Sequence, residues 1–258
     1  MRNYLESPTH FKSPYSVYLI QKPQALTTEM IEELYKAILP SRAILSFERL
    51  FKGSKRAVVI FGPVDILKTF HDRLGLLELE DYTKRATLAN ITGWEVGGKI
   101  EDTQTIHVPR LIDEIPSLEE TEEFWWQLCL HPTQNGLEKA VNKIVQSVTN
   151  ESYRMALERQ KKSTPQDSAQ TNEQQKQSDG ALFNAVLRAI VSSPNTEHLE
   201  SLKNDLAKVG EKSGLVKLPQ VFTSRQVVDL YQKRALPIAN RSQMTLTAKE
   251  IISLLGVV

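Results

Sequence analysis

The chain has 258 residues, of which 40% are hydrophobic and 24% are charged, and this length and balance suit two modest globular domains. Because 32 basic residues stand against 31 acidic ones, the net charge of +1 gives no support for a general nucleic-acid coat or a membrane-surface anchor. A single cysteine excludes an internal disulfide. No stretch reaches the ~18 apolar residues of a membrane span, and no secretory signal precedes the first strand, so we expect a soluble, cytoplasmic protein.

The first part of the chain alternates strand and helix patterns. A strand over 16–21 is stopped by Pro23, and a helix that Thr27 or Thr28 can cap ends before Pro40. The pattern then predicts strands over 44–50 and 57–61 around a turn at 53–54, a helix opened by Gly62 and Pro63, and a strand over 77–82. Strand, helix, strand, strand, helix, strand is the split βαβ, or ferredoxin-like, order.

Residues 84–118 are less regular and contain a stretch that imitates a phosphate-binding loop. Gly93 to Lys99 satisfies the spacing Gly, four residues, Gly-Lys, but Ile100 stands where the Mg²⁺-binding hydroxyl is needed. The residues that follow are polar and acidic, and they do not predict the helix that would point its amides at a phosphate. We therefore interpret the glycines as a β-turn within a hairpin or an extended connection.

The most apolar run is Phe124 to His131, closed by Pro132, which removes a backbone donor where the run ends. Eight residues are strand length, and a strand that is apolar at nearly every position is usually covered on both faces. The run therefore predicts a strand in the middle of a sheet. Cys129 lies inside it and is predicted to be a buried, inert thiol.

The rest of the chain predicts a second layered unit. A helical period over 137–157 precedes residues 163–180, which contain a single alanine as their only apolar residue and are predicted to be a disordered insertion. The apolar residues of 181–191 fit either a helical or a strand period, and the length of the run and the Ser192-Ser193-Pro194 that follows favour a strand. The later patterns predict a helix capped by Asn195, a strand over 215–218, a helix from Ser224, a strand over 244–246 and a helix over 247–255. We thus predict an α+β protein of two ferredoxin-like (split βαβ) layered α/β sandwich units, with domains at 1–118 and 119–258.

No group of side chains makes a recognisable catalytic or metal site. The five histidines are too far apart in sequence for a metal motif: His10, His71, His107, His131 and His198. Cys129 and His131 could share a strand face, but a nucleophile and base also need an orienting group. The acidic groups are interpreted as solvated or partner-facing rather than as catalytic or metal-binding: Glu78, Glu80 and Asp81, and Glu119, Glu120, Glu122 and Glu123. We predict no catalytic residue, no metal ligand and no cofactor.

A βαββαβ unit invites comparison with RNA-recognition modules, which stack bases on aromatic side chains of the two central strands. Here only Tyr18 and Phe61 could stack, and core packing explains both. Lys52, Lys55 and Arg56 form a basic turn that could contact a nucleic-acid backbone or a partner, although such a cluster is usually a solvated turn.

Several phrases resemble the cytoplasmic region that precedes the motor domain of bacterial type IV secretion-like (conjugation-type) ATPases. The phrases are Val17 to Pro23, Leu79 to Thr83, Phe124 to Pro132 and Leu246 to Leu255. The family usually begins with membrane-spanning helices and continues into a P-loop motor, and this chain shows neither. The resemblance therefore implies an excised region or a stand-alone relative, without ATP hydrolysis of its own.

On this resemblance we expect a non-catalytic assembly domain of a secretion or DNA-translocation ATPase system. Its partners would be a motor ATPase or other secretion subunits at the inner face of the membrane, or further copies of the chain. The first alternative is a ferredoxin-like nucleic-acid-binding module, in which case binding should weaken with salt. The second is an enzyme of unknown type, which would need Cys129 and His131 to open into a pocket lined by polar groups.

Overall fold

The structure is a computed structural model that describes residues 14–85, 90–98, 115–133, 181–212, 215–217, 222–236 and 244–256. The predicted helix over 137–157 and insertion over 163–180 lie outside these residues, as do His10 and His107. The described part is a mixed α/β structure with one antiparallel sheet of nine strands and six α-helices. At this level the α+β prediction is confirmed. No helix within the described residues is both long and apolar enough to cross a bilayer.

The elements follow one another in a regular order. The strands are β1 (Tyr15–Ile20), β2 (Leu45–Lys52), β3 (Lys55–Pro63), β4 (Leu76–Leu79), β5 (Ile91–Gly98), β6 (Glu123–Pro132), β7 (Leu182–Ser192), β8 (Leu215–Lys217) and β9 (Met244–Thr247). The α-helices are α1 (Thr28–Ile38), α2 (Val64–Lys68), α3 (His71–Leu74), α4 (Thr196–Lys212), α5 (Ser224–Gln232) and α6 (Ala248–Leu255). Short 3₁₀ turns lie at Pro23–Ala25 and Tyr82–Arg85.

The sheet runs in the order β4-β1-β3-β2-β6-β7-β5-β8. The strands β1 to β4 fill one half and β5 to β8 the other, and the pairing of β2 with β6 joins the halves. If the strands of each half are numbered 1 to 4 in chain order, the order across the sheet is 4-1-3-2 in the first half and 2-3-1-4 in the second. The two halves therefore have the same order, mirrored at the junction. One edge of β7 pairs with β6, so β5 and β9 share its other edge. The strand β5 falls within the predicted domain 1–118 yet pairs with β7 and β8; the domain boundary itself stays a prediction.

The two faces of the sheet are covered differently. One face carries the large core, where alternate strand residues such as Phe47, Leu128 and Leu187 pack with apolar residues of α1, α2, α3, α4 and α6. The opposite face carries smaller clusters in which Trp125 and Ile190 contact Tyr231 of α5. Because both faces are covered, β6 is buried along almost its whole length. The prediction of a central, doubly covered strand is confirmed.

Most predicted elements are present, with two corrections. The helix predicted from Gly62 and Pro63 is wrong at its start, because β3 continues through Pro63 and the helical residues divide into the short α2 and α3. The β-turn predicted at Gly93 is also wrong, because Gly93 to Gly98 belong to β5 and pair with β7 and β8. The stretch is therefore a strand rather than a turn.

Candidate functional site

A row of buried polar side chains crosses the middle of the sheet in register. Glu48 of β2 stands opposite Gln127 of β6, Gln127 opposite Arg188 of β7, and Arg188 opposite Glu95 of β5. These four residues are called the polar row below. Glu48, Gln127 and Arg188 are completely buried, and Glu95 is 8% exposed. Buried polar groups at such positions must find partners inside the protein or cost several kcal/mol (about 1–3 per unsatisfied group, more for a charge).

The partners come from the end of α5 and the residues that follow it, 231–236, called the crossing segment below. Gln127 Nε2 donates to the carbonyl oxygen of Tyr231 over 2.9 Å, and Arg188 Nη2 donates to that of Ala235 over 2.6 Å. Arg188 also donates to Gln127 Oε1 at 3.1 Å and pairs with Glu95 at 3.4 Å. The row thus binds the crossing segment through main-chain carbonyls as well as side chains.

Glu48 is the most heavily bonded member of the row. Its Oε1 accepts from Ser46 Oγ at 2.9 Å, from Gln127 Nε2 at 3.0 Å and from Arg234 Nε at 2.9 Å. Its Oε2 accepts from the hydroxyl of Tyr82 and from Arg234 Nη2 at 3.4 Å. A carboxylate whose two oxygens accept from five donors has no lone pair left to face a substrate.

Arg234 connects the row to a second carboxylate. Besides Glu48, it donates from Nη1 to Asp81 Oδ2 at 2.9 Å and from Nη2 to Asp81 Oδ1 at 3.2 Å, and its guanidinium lies 4.3 Å from the centre of the Phe61 ring. Burial alone would lower the pKa of Arg234, but the charge of Glu48 and the bond to Asp81 raise it above its ordinary value. Two guanidinium groups, Arg188 and Arg234, thus pair with three carboxylates, Glu48, Asp81 and Glu95.

Two tyrosines close the cluster. The hydroxyls of Tyr82 and Tyr231 lie 2.8 Å apart, and both rings pack on Trp125. Burial, reinforced by the nearby charge of Glu48, raises the pKa of both phenols well above the usual value. Both tyrosines therefore stay neutral and act as hydrogen-bonding groups rather than as bases.

The local sequence explains why the crossing segment reaches the row. Thr223 and Gln226 form a reciprocal capping box at the start of α5. Ser224 Oγ accepts from the backbone N–H of Gly93 at 2.7 Å, which fixes the helix start to β5. A Cβ at Gly93 would stand 3.2 Å from Val227 and 3.3 Å from Ile190, so the absence of a side chain there lets α5 pack closely on the sheet.

The structure separates the residues that the sequence singled out. Cys129 is completely buried, and burial raises the pKa of its thiol; its neighbours include Ile44, Val186 and Leu236. His131, two residues along β6, is only half-buried. Asp81 belongs to the Arg234 ion pair. Glu78 lies in β4, which pairs with the edge of β1 opposite to β3, and accepts a hydrogen bond from Ser16 Oγ at 2.5 Å. Tyr18 and Phe61 are both buried.

The basic turn between β2 and β3 faces acidic residues. Lys52 Nζ lies 2.7 Å from Glu123 Oε1, and the backbone N–H of Gly53 donates to the carbonyl of Glu122 at 3.1 Å. Arg56 lies over the Phe51 ring with its guanidinium carbon 5.7 Å from the ring centre. Lys55 is exposed at the tip. The residues Glu119 to Glu123, called the acidic segment below, thus offset part of the positive charge of the turn.

The acidic segment also supplies the one group of described residues that could hold a metal ion. Glu119, Glu122 and His198 bring three ligand atoms within 4.8 Å of one another. The acidic segment alone contains no metal motif, because the third residue of the group, His198, comes from α4, far along the chain.

The polar row could have been suspected from the sequence by one signal. Glu48, Gln127 and Arg188 are long polar side chains near the middle of strands rich in apolar residues, although in β2 Arg49 stands beside Glu48. Their alignment depends on strand register, which one strand pattern alone does not give.

No family model matches this chain, and no characterised protein matches it either.

Proposed function

We propose that this chain is a non-catalytic assembly domain of a type IV secretion-like or DNA-translocation ATPase system, acting by contact with a motor ATPase or with other subunits. The observation that supports the non-catalytic part of the proposal is the bonding of Glu48, the more buried of the two carboxylates in the polar row. Its oxygens receive donors from Ser46, Gln127, Tyr82 and Arg234. Groups committed in this way hold the protein together and have no capacity left to move a proton or bind a substrate.

The strand order supports a finer proposal about architecture. Each half of the sheet has the order expected of a split βαβ unit, with α1 between β1 and β2, with α2 and α3 between β3 and β4, and with α4 between β7 and β8. We infer two ferredoxin-like units joined edge to edge through β2 and β6. Such a fused sheet would present surfaces of both units side by side, which suits contact with partners.

The resemblance of four sequence phrases to the region ahead of conjugation-type motors indicates the class of partner. Two of these phrases now have structural roles: Phe124 to Pro132 forms the central strand, and Asp81 within Leu79 to Thr83 anchors Arg234. Cytoplasmic placement at the inner face of a membrane, through partners, follows from the same proposal.

Co-purification tests the proposal directly. The full chain, carrying an affinity tag and expressed in its own host, should retain a P-loop ATPase, which mass spectrometry would identify. The tag fused to an unrelated protein serves as the control. Purification without any motor ATPase or secretion subunit, repeated after mild crosslinking, would contradict the proposal.

The alternative, a nucleic-acid-binding module, is favoured by one observation: Lys55 and Arg56 are both exposed at the tip of the β2–β3 turn. If both contact phosphates, replacing them with glutamate should reduce the slope of log affinity against log salt by about 1.8, since each contact contributes about 0.9. The matched control is Lys68→Glu on the exposed surface of α2. Absence of DNA retention at low salt removes this alternative.

A further inference from the structure

The acidic segment before β6 meets the first turn of α4 at a buried carboxylate. Glu122 is completely buried, and its backbone is fixed by the bond from Gly53 N–H to its carbonyl oxygen. Its Oε2 accepts from the backbone N–H of Glu119 at 2.8 Å. His198 stands in the first turn of α4, where Asn195 caps the helix by accepting from its N–H at 3.3 Å. Both ends of the contact are therefore held by the backbone.

The second oxygen of Glu122 is in an unusual situation. Oε1 lies 2.6 Å from Nδ1 of His198. Their orientation is not that of a hydrogen bond, and within the described part of the chain Oε1 has no hydrogen-bond partner. A buried, unsatisfied oxygen requires an explanation such as a bound ion or water. An ordinary ion pair would explain the short distance but not the orientation. Two atoms that bind one tetrahedral Zn²⁺ ion at about 2.0–2.2 Å each stand roughly 3.3 Å apart, so a bound ion would satisfy Oε1 after the two atoms separate by less than about 1 Å.

A third ligand atom lies within reach. A carboxylate oxygen of Glu119 completes the group within 4.8 Å, and Glu119 is exposed to solvent. Glu123, the next acidic residue, is already committed to Lys52 and to the indole N–H of Trp125. The available donors are therefore two carboxylates and one imidazole.

We propose that Glu119, Glu122 and His198 bind one divalent transition-metal ion, with Zn²⁺ as the best-fitting probe. Imidazole nitrogen with carboxylate oxygen suits Zn²⁺, and three protein ligands leave a fourth position for water. The ion would tie α4 to the segment that leads into β6. This proposal is independent of the function proposed above.

Calorimetric titration of ZnCl₂ into the full chain, after treatment with a chelator and its removal, tests the site. The wild-type chain should bind one equivalent tightly. His198→Ala and Glu119→Gln should each weaken this binding at least about tenfold, since even the loss of an outer-shell partner of a metal ligand typically costs about 10- to 100-fold. These two residues carry the test because, unlike Glu122, both reach solvent. Since His198→Ala also removes the imidazole beside the buried Glu122, the fold of each variant is checked by circular dichroism before the titration.

The matched control is His71→Ala. His71 also pairs with a carboxylate, Asp72, at 2.9 Å, but both side chains lie on the surface of α3. This variant should bind Zn²⁺ as the wild-type chain does. Two results overturn the proposal: no stoichiometric Zn²⁺ binding by the wild-type chain, or equal affinity in the wild-type and His198→Ala chains.

Discussion

Replacing Arg234 with glycine should destabilise the protein strongly, although glycine suits the backbone there. Arg234 is 1% exposed and is the guanidinium that Glu48 and Asp81 share. Removing it leaves Glu48 as a fully buried carboxylate without its cation. Removal of one partner of a buried ion pair typically costs about 3–5 kcal/mol, because the remaining charge is uncompensated.

The backbone effect acts in the opposite direction. Arg234 has a φ of 48°, in the left-handed region that follows the end of α5. A residue with a Cβ pays about 1–2 kcal/mol in this conformation, and glycine is the usual residue at such a position. Subtracting about 1 kcal/mol of backbone relief from about 3–5 kcal/mol leaves a net loss of about 2–4 kcal/mol.

Arg42 provides a matched control for the backbone term. It has a φ of 52° after the end of α1 and is exposed, so Arg42→Gly gives the same backbone relief without removing a buried charge pair. Because glycine also gains entropy in the unfolded chain, and because the exposed Arg42 side chain gives up only solvent-screened contacts, we expect Arg42→Gly to stay within about 1 kcal/mol of the wild-type chain.

The assay is equilibrium urea unfolding at neutral pH, followed by the fluorescence of the buried tryptophans Trp94, Trp125 and Trp126. The free energy of unfolding should fall by about 2–4 kcal/mol in Arg234→Gly. If Arg234→Gly were as stable as the wild-type chain, or if Arg42→Gly lost as much as Arg234→Gly, the assignment of Arg234 as the cation of the polar row would be refuted.

Two further predictions concern titratable groups. Burial opposes ionisation of Asp81, but its bonds with Arg234 and Thr83 outweigh this effect and lower its pKa in the folded protein. The ionised Asp81 therefore contributes its full stabilisation above the unfolded-state pKa of about 3.9, and this contribution is lost as the pH falls through the lower folded-state pKa. The difference in unfolding free energy between the wild-type chain and Asp81→Asn should therefore shrink below about pH 4, and a difference that stays constant down to pH 2.5 would contradict this. Burial raises the pKa of the Cys129 thiol, so Ellman's reagent should label it in urea but not in the native protein, and rapid native labelling would show that β6 is open to solvent.

The sequence predicted the elements whose boundaries carry strong local signals. Pro23 and Pro40 bracket α1, Thr27 caps it by accepting from Met30 N–H, and Gly75 ends α3 with a φ of 60°. The central strand was predictable because its apolar run is of strand length and ends at Pro132. In each case the signal lies within a few residues of the feature that it predicts.

The strand β5 was not predictable in the same way. Gly93, Gly97 and Gly98 lower its intrinsic strand preference and favour a turn in any local interpretation. Its pairing with β7 and the close approach of α5 over Gly93 select the strand, and both partners lie about a hundred residues or more further along the chain. The metal-binding group was missed for the same reason, because His198 joins the acidic segment only in the folded protein.

The alignment of the polar row explains how the halves of the sheet find one register. A shift of β6 by one residue against β2 would turn Gln127 toward the opposite face, among the apolar residues that surround Phe47 and Leu128. A shift by two would keep the face but place Glu48 opposite Trp125 or Cys129, and would remove the donor that Gln127 supplies. Either error leaves a buried carboxylate short of partners, at a cost of about 1–3 kcal/mol or more. Apolar residues at these positions could pack in several registers, whereas the bonded charges satisfy one another in a single register. We therefore infer that the polar row contributes to the choice of strand register more than to the net free energy of folding.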